Sequence, residues 1–221
     1  GSSPTERFTG PQIMKFYRTE PENYQKTSTI HLVSSFMATI LAGKTAPIDY
    51  GDGAGMNMMN LQTLNWDNDI LKVIAPEIAN KLPPLQKTTS IIGNINPFFL
   101  KQGFSPNTKI VAWTGDNPAS LVGVGAAVGS TAVISLGTSD TFFSSMEKPH
   151  TDPNGCGHVF GNPAGNFISL ICFKNGSLAR EKIKNDFNVF FSLKQKVNSF
   201  PEKYFIIDQN NFNFLHKLKI Y

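Results

Sequence analysis

Little in this chain points to covalent stapling or to a protein-held metal. It has two cysteines, Cys156 and Cys172, and four histidines, His31, His150, His158 and His216. Two cysteines make neither a disulfide framework nor a zinc site, and they fit a reducing compartment. The histidines show no metal-ligand spacing, so no metal site built from side chains is expected. Charge is sparse as well: 16% of residues are Asp, Glu, Lys or Arg, and the net charge is +4. The basic residues are scattered and gather chiefly after Arg180. A nucleic-acid surface needs a basic stripe or a known motif, so no nucleic-acid partner is expected. There is no internal repeat, and the opening GSSPTERFTG is too polar for a signal peptide. One uncharged run, between Asp116 and Asp140, could span a bilayer by count alone. Glycine, serine and threonine are spread through it, so it reads as a helix–loop–strand passage in a soluble core. No membrane partner and a cytoplasmic location are expected.

With 40% hydrophobic residues in 221, the chain can bury a sizeable core in one or two domains. It is organised around Lys109–Met146, KIVAWTGDNPASLVGVGAAVGSTAVISLGTSDTFFSSM. Lys109–Trp113 reads as a strand ended by Thr114 and Gly115. Asn117 then has the form of a helix N-cap, with Pro118 at the first helical position. That puts the Asp116 carboxylate at a strand end, beside the positive end of a helix. Thr131–Leu136 and Thr141–Met146 read as a hairpin around Gly137, Thr138, Ser139 and Asp140. A carboxylate so placed can take a proton from a hydroxyl. The backbone N–H groups and hydroxyls of Gly137, Thr138 and Ser139 are of the kind that hold phosphate oxygens. Taken alone, Asp116 also reads as a cap or a solvated loop residue, and the Gly-Thr-Ser segment as a plain turn. Only the pairing, at this separation, points to phosphoryl transfer onto a hydroxyl.

Elsewhere, the spacing predicts a helix from Pro11 through Tyr17 and a polar connector over Glu20–Lys26. Thr29–Leu41 reads as a largely buried helix with Ile30, Val33, Phe36, Met37 and Ile40 at helical spacing, ended by Gly43. Ser34 and Ser35 in it read as packing residues, and His31 as a core or cap histidine. Asp49–Asn60 reads as a turn leading into a short segment; its acids lack the alternation and terminal Glu of a calcium loop. An amphipathic helix is expected over Trp66–Leu82, capped by Asp67 or Asn68 and interrupted near Pro76. Ile91–Ile95 is expected as a strand, and a short helix from Phe98 to end at Gly103. Glu147–Gly157 reads as a surface loop, His158–Phe160 and Asn166–Phe173 as strands, and Leu178–Asn185 as a helix. Beyond Asp186 the apolar residues follow no long helical or strand period.

Several of these segments together resemble one family. RFTGPQI, HLVSSFMATIL, DYGDGAGMNMMNL, TGDNPASLVG, VISLGTSDTFF and CFKNGSLAREKIKN look like the eukaryotic D-xylulose kinases of the FGGY carbohydrate kinase family. The resemblance implies an α/β, ribonuclease-H-like (actin/hexokinase-type) sugar kinase fold, with the active site in the cleft between two domains. Residues 1–130 would be the C-terminal part of the family's N-terminal domain. Residues 131–185 would begin its C-terminal domain, and 186–221 would be a divergent tail, leaving the fold incomplete at both ends. ATP, as its Mg²⁺ complex, would phosphorylate D-xylulose to D-xylulose 5-phosphate. The family's catalytic base falls on Asp116, which also contacts the sugar. Its other sugar-binding residues fall on Arg7 and Asn117, and its phosphate-holding turn on Gly137, Thr138 and Ser139. Without the resemblance, Arg7 reads as a surface or helix-start arginine in a salt bridge.

The family's first phosphate motif, its N-terminal sugar-contacting segment and its glycine-rich adenosine motif have no counterpart in this sequence. A second reading is therefore a catalytically incomplete fragment that acts as a sugar-binding or kinase-interacting module.

Overall fold

A computed structural model of the chain describes residues 2–129, 131–187 and 203–208. Helix α1 (Thr9–Thr19) begins two residues before Pro11, with Phe8 as its N-cap. The proline falls in the first turn, where backbone N–H groups have no intrahelical partner, so it costs the helix nothing. The connector expected over Glu20–Lys26 is instead a helix, α2 (Pro21–Lys26). Pro21 presets the first helical φ, and burial of Tyr24 (2% exposed) draws the turn inward. Tyr24 also donates a hydrogen bond to the Pro76 carbonyl at 2.9 Å.

Helix α3 (Val33–Ala42) departs further from expectation. It starts later than Thr29, and it is turned over: Ser35 and Ala38 are buried, while Val33, Phe36, Met37 and Ile40 are exposed. Small side chains on the inner face let the helix backbone approach closely. Ala38 packs in a cluster with Ala46, Ile95 and Ile110. The Ser35 hydroxyl is occupied locally, facing His31 Nδ1 at 3.1 Å and accepting from the Leu32 amide at 3.2 Å.

Next come β1 (Ile48–Asp49), α4 (Tyr50–Gly55) and a small hairpin of β2 (Met59–Asn60) and β3 (Asn65–Trp66). Helix α5 (Asn68–Ile74) is capped by Asp67, which accepts from the amides of Asp69 and Ile70, and it stops before Pro76. A 3-10 turn, Ile78–Lys81, completes the expected interrupted helix. Strand β4 (Leu85–Gln86) pairs in parallel with β1. Strand β5 (Ile91–Asn94) pairs antiparallel with β6 (Lys109–Val111) around a 3-10 turn that ends at Gly103, φ 91°. Ile13, Tyr24, Ile48, Met56, Met58, Leu71 and Ile74 form the core of this part.

Helix α6 (Asp116–Gly123) leads to a five-stranded antiparallel sheet. Its strands are β7 (Thr131–Leu136), β8 (Asp140–Met146), β9 (His158–Gly161), β10 (Phe167–Phe173) and β11 (Lys203–Asp208), in the spatial order β11-β7-β8-β10-β9. Helix α7 (Gly176–Phe187) follows β10. Leu121 of α6 shares a core with Ala126, Val133, Phe143 and Ile168, so α6 is bolted to this sheet. Within the tail, Lys203–Asp208 does form a strand, lying along β7, where no strand period is legible in the sequence. The rest of the tail beyond residue 187 lies outside the described residues. The mixed helix-and-sheet architecture agrees with the expected α/β class. No helix among the described residues is long and apolar enough to cross a membrane.

Candidate active site

The start of α6 holds the carboxylate singled out by the sequence. Gly115, not Asn117, is the N-cap: its carbonyl accepts the first helical bond from the Ala119 amide at 3.1 Å. Helical geometry thus begins two residues early, and Pro118 again falls in the first turn, where its missing donor is not needed. Asp116 is the first helical residue and is exposed. Its Oδ1 accepts from the Asn117 amide at 2.7 Å and from Asn117 Nδ2 at 3.1 Å. Its Oδ2 accepts nothing from the described residues. The carboxylate is therefore held by one oxygen at the positive end of a helix, with the other oxygen open.

Next to the start of α6 lies an acidic pair, Asp49 and Asp52, that the sequence alone presents only as part of a turn. Asp49 caps α4, accepting from the Asp52 amide at 2.8 Å and from the Thr88 hydroxyl at 2.6 Å. One turn on, the Asp52 carboxylate accepts from the Ser34 hydroxyl and occupies the space that a Cβ at Gly115 would need. Burial pushes the Asp52 carboxyl up to about 6, the negative charges of Asp49 and Asp116 push the same way, and the Ser34 hydroxyl opposes them. Burial also raises Asp49, against the hydroxyl and amide donors around it. The available signal was the setting of Asp49 and Asp52 among the alternating glycines Gly51, Gly53 and Gly55. A Cβ at Gly51 would lie 2.9 Å from Thr114 Oγ1 and 3.1 Å from Asp49 Oδ2, so the glycine lets these groups close up.

Arg7 is exposed just before α1 and enters no ion pair among the described residues, contrary to its plain salt-bridge reading. Its neighbour Phe8 meets the His158 ring edge-on, centroids 5.2 Å apart. Burial lowers the His158 pKa, and the Arg7 charge lowers it further. The buried His158 Nδ1 has no hydrogen-bond partner among the described residues. Two contacts on α4 bring these parts together. The Gly10 amide donates to the Met56 carbonyl at the end of α4 (3.0 Å), and Gly161 of β9 lies flat against Tyr50 at its start. Arg7, Asp52 and Asp116 are thus all set on elements that meet around α4.

The Gly137–Ser139 turn joins β7 to β8, with Leu136 paired to Asp140, so Asp140 opens the strand that the sequence begins at Thr141. The Gly137 amide donates to the Ser139 carbonyl at 3.3 Å. The amides of Thr138 and Ser139 donate to no described group. Arg180 of α7 donates to the Gly137 carbonyl at 3.1 Å and pairs with the Asp140 carboxylate. Among the described residues, no hydrogen bond or ion pair joins this turn to Arg7, Asp116 or Asn117.

Comparison with known proteins bears on this arrangement. Residues 4–123 match the N-terminal domain of the FGGY family of carbohydrate kinases. The chain is 46% identical over 189 residues to a xylulose kinase of Rattus norvegicus, covering 84% of this chain and 35% of that protein. It is 37% identical over 207 residues to a xylulose kinase of Schizosaccharomyces pombe, covering 90% and 37%. Among solved structures, xylulose kinase from Bifidobacterium adolescentis superimposes with a TM-score of 0.75 at 22% identity, over 86% of this chain and 42% of that one. The chain spans about a third of the length of the curated relatives it matches.

Proposed function

The chain belongs to the FGGY family of carbohydrate kinases, and from that premise we propose that it carries part of the active site of an ATP-dependent D-xylulose kinase. The carrying observation is Asp116: a carboxylate fixed through Asn117 at the start of α6, with Oδ2 accepting from none of the described residues. The xylulose kinase relatives support the choice of sugar.

In this reading, Asp116 Oδ2 accepts the proton of the terminal sugar hydroxyl as that oxygen attacks the γ-phosphorus of ATP. Arg7 and Asn117 hydrogen-bond the sugar and select it, since a poorly matched sugar would leave their polar groups unpaired. The amides of Thr138 and Ser139, which donate to none of the described residues, suit the anionic donor, with Gly137 between strand and turn. Mg²⁺ enters with ATP as part of the substrate and neutralises charge on the phosphates. Residues 1–130 would form the C-terminal part of the first domain, 131–185 the start of the second, and 186–221 a divergent tail. The setting would be the cytoplasm.

The test is ADP release with Mg-ATP and D-xylulose, measured on a chimera in which residues 4–187 replace the matching segment of a full-length relative. Sugar-dependent turnover is expected, falling by about 10²–10⁴ in Asp116→Ala with the fold intact. Full turnover in that variant would remove Asp116 as the base. A folded but silent chimera would remove the kinase reading of this segment.

A further inference from the structure

We propose that Arg180 and Asp140 act as one positioning pair, holding the Gly137–Ser139 turn so that its free amides face a polyphosphate. The proposal rests on the reading of that turn as phosphate-holding, and adds two residues to it.

The geometry starts from the carbonyls. The Gly137 carbonyl accepts from Arg180 Nη2 at 3.1 Å, and the Thr138 carbonyl accepts from the Ser177 amide at 3.5 Å and its hydroxyl at 3.4 Å. Two successive carbonyls are thus drawn toward α7. In a trans peptide the C=O and the following N–H point in opposite directions. The N–H groups of Thr138 and Ser139 are therefore turned away from α7, side by side, and they are the two amides of the turn that no described group accepts. Arg180 sets this orientation only if its guanidinium stays in place. Asp140 provides that: it pairs with Nη1 while Nη2 reaches Gly137, with side-chain exposures of 41% for Arg180 and 22% for Asp140. Buried Gly176 lies against the Asp140 carboxylate, where any side chain would collide with it, so α7 can seat its first turn here.

An aspartate beside an anion site is otherwise unfavourable, because its charge repels the ligand. Its presence is explained if fixing Arg180 matters more. This gives a test by sign. Binding of inorganic tripolyphosphate to the full chain is titrated for wild type, Arg180→Lys, Asp140→Asn and the double variant. A positioning pair predicts about tenfold weaker binding in each single variant, with the double variant no worse than either. Lysine keeps the charge but cannot span Asp140 and Gly137 together. If Arg180 serves only as bulk positive charge, Arg180→Lys binds like wild type and Asp140→Asn binds more tightly; either result overturns the proposal. Amide exchange at Gly137 is followed in parallel and should quicken in both single variants while the β8 amides stay protected. Failure of the wild-type chain to bind tripolyphosphate would overturn the phosphate reading itself, while unchanged Gly137 exchange would overturn the pair.

Discussion

Asp52 and Gly115 touch without room for a methyl group between them: a Cβ at Gly115 would lie 2.7 Å from Asp52 Oδ1. Since Gly115 has φ −70°, any residue could adopt its backbone conformation. The glycine is required by the carboxylate above it, and the contact fixes the turn that presents Asp116.

Gly115→Ala should therefore destabilise the chain by about 1–3 kcal/mol through overpacking alone. In a double-mutant cycle, adding Asp52→Ala should recover part of that loss, because it removes the atom in the way. Urea unfolding of the four proteins checks this. Strict additivity would show that the two residues do not press on each other.

The buried Asp52 also sets a pH dependence. Its carboxyl titrates near 6 in the folded chain against an ordinary value of 3.8. Between those values the folded state holds a proton that the unfolded state has released, so stability falls as pH rises from about 4 to 6 and stays lower above that. Asp52→Asn keeps the shape and can still bond Ser34, but cannot ionise. It should gain about 1–2 kcal/mol over wild type at pH 7 and nothing at pH 4. Unfolding curves across that range decide it, and parallel profiles for the two proteins would contradict it.

Gly161 tests how the sheet is joined to α4. A Cβ there would sit 2.6 Å from the Tyr50 carbonyl carbon and 2.7 Å from Tyr50 Cβ. Backbone cannot swing aside as a side chain can, so Gly161→Ala should cost about 3 kcal/mol. It should also speed proteolysis in the loop before β9, which a thermal melt with limited digestion would detect. A loss below about 0.5 kcal/mol, in the range of ordinary surface changes, would mean that the α4–β9 contact is slack.

Most strands and turns were legible because they carry local signals. Asp67 capping α5, Pro76 stopping it, Gly103 ending a 3-10 turn and the β7–β8 hairpin all follow from residues within a few positions of the feature. What was missed depends on contacts distant in sequence. Asp52 matters because Gly115 lies 63 positions later and because Ser34 reaches it from another helix. Arg180 matters because α7 folds back onto a turn about 40 residues earlier. Helix α2 was hidden because Tyr24 finds its partner at Pro76. The family resemblance pointed to Asp116, Arg7 and Asn117, while spacing alone left each with a plain structural reading.

Helix α3 gives the sharpest contrast between pattern and burial. Its stripe of Val33, Phe36, Met37 and Ile40 has helical spacing, yet Val33 is 82% and Phe36 52% exposed, while Ala38 on the opposite face is 0% exposed. With that orientation, Val33→Lys and Phe36→Glu should each change stability by no more than about 0.5 kcal/mol. Ala38→Leu should cost about 1–3 kcal/mol, because it adds volume beside Ala46, Ile95 and Ile110. Urea melts of the three variants separate the alternatives. Were the helix seated by its large apolar face, the order would reverse: the two charged substitutions would unfold the chain, and leucine at position 38 would be tolerated.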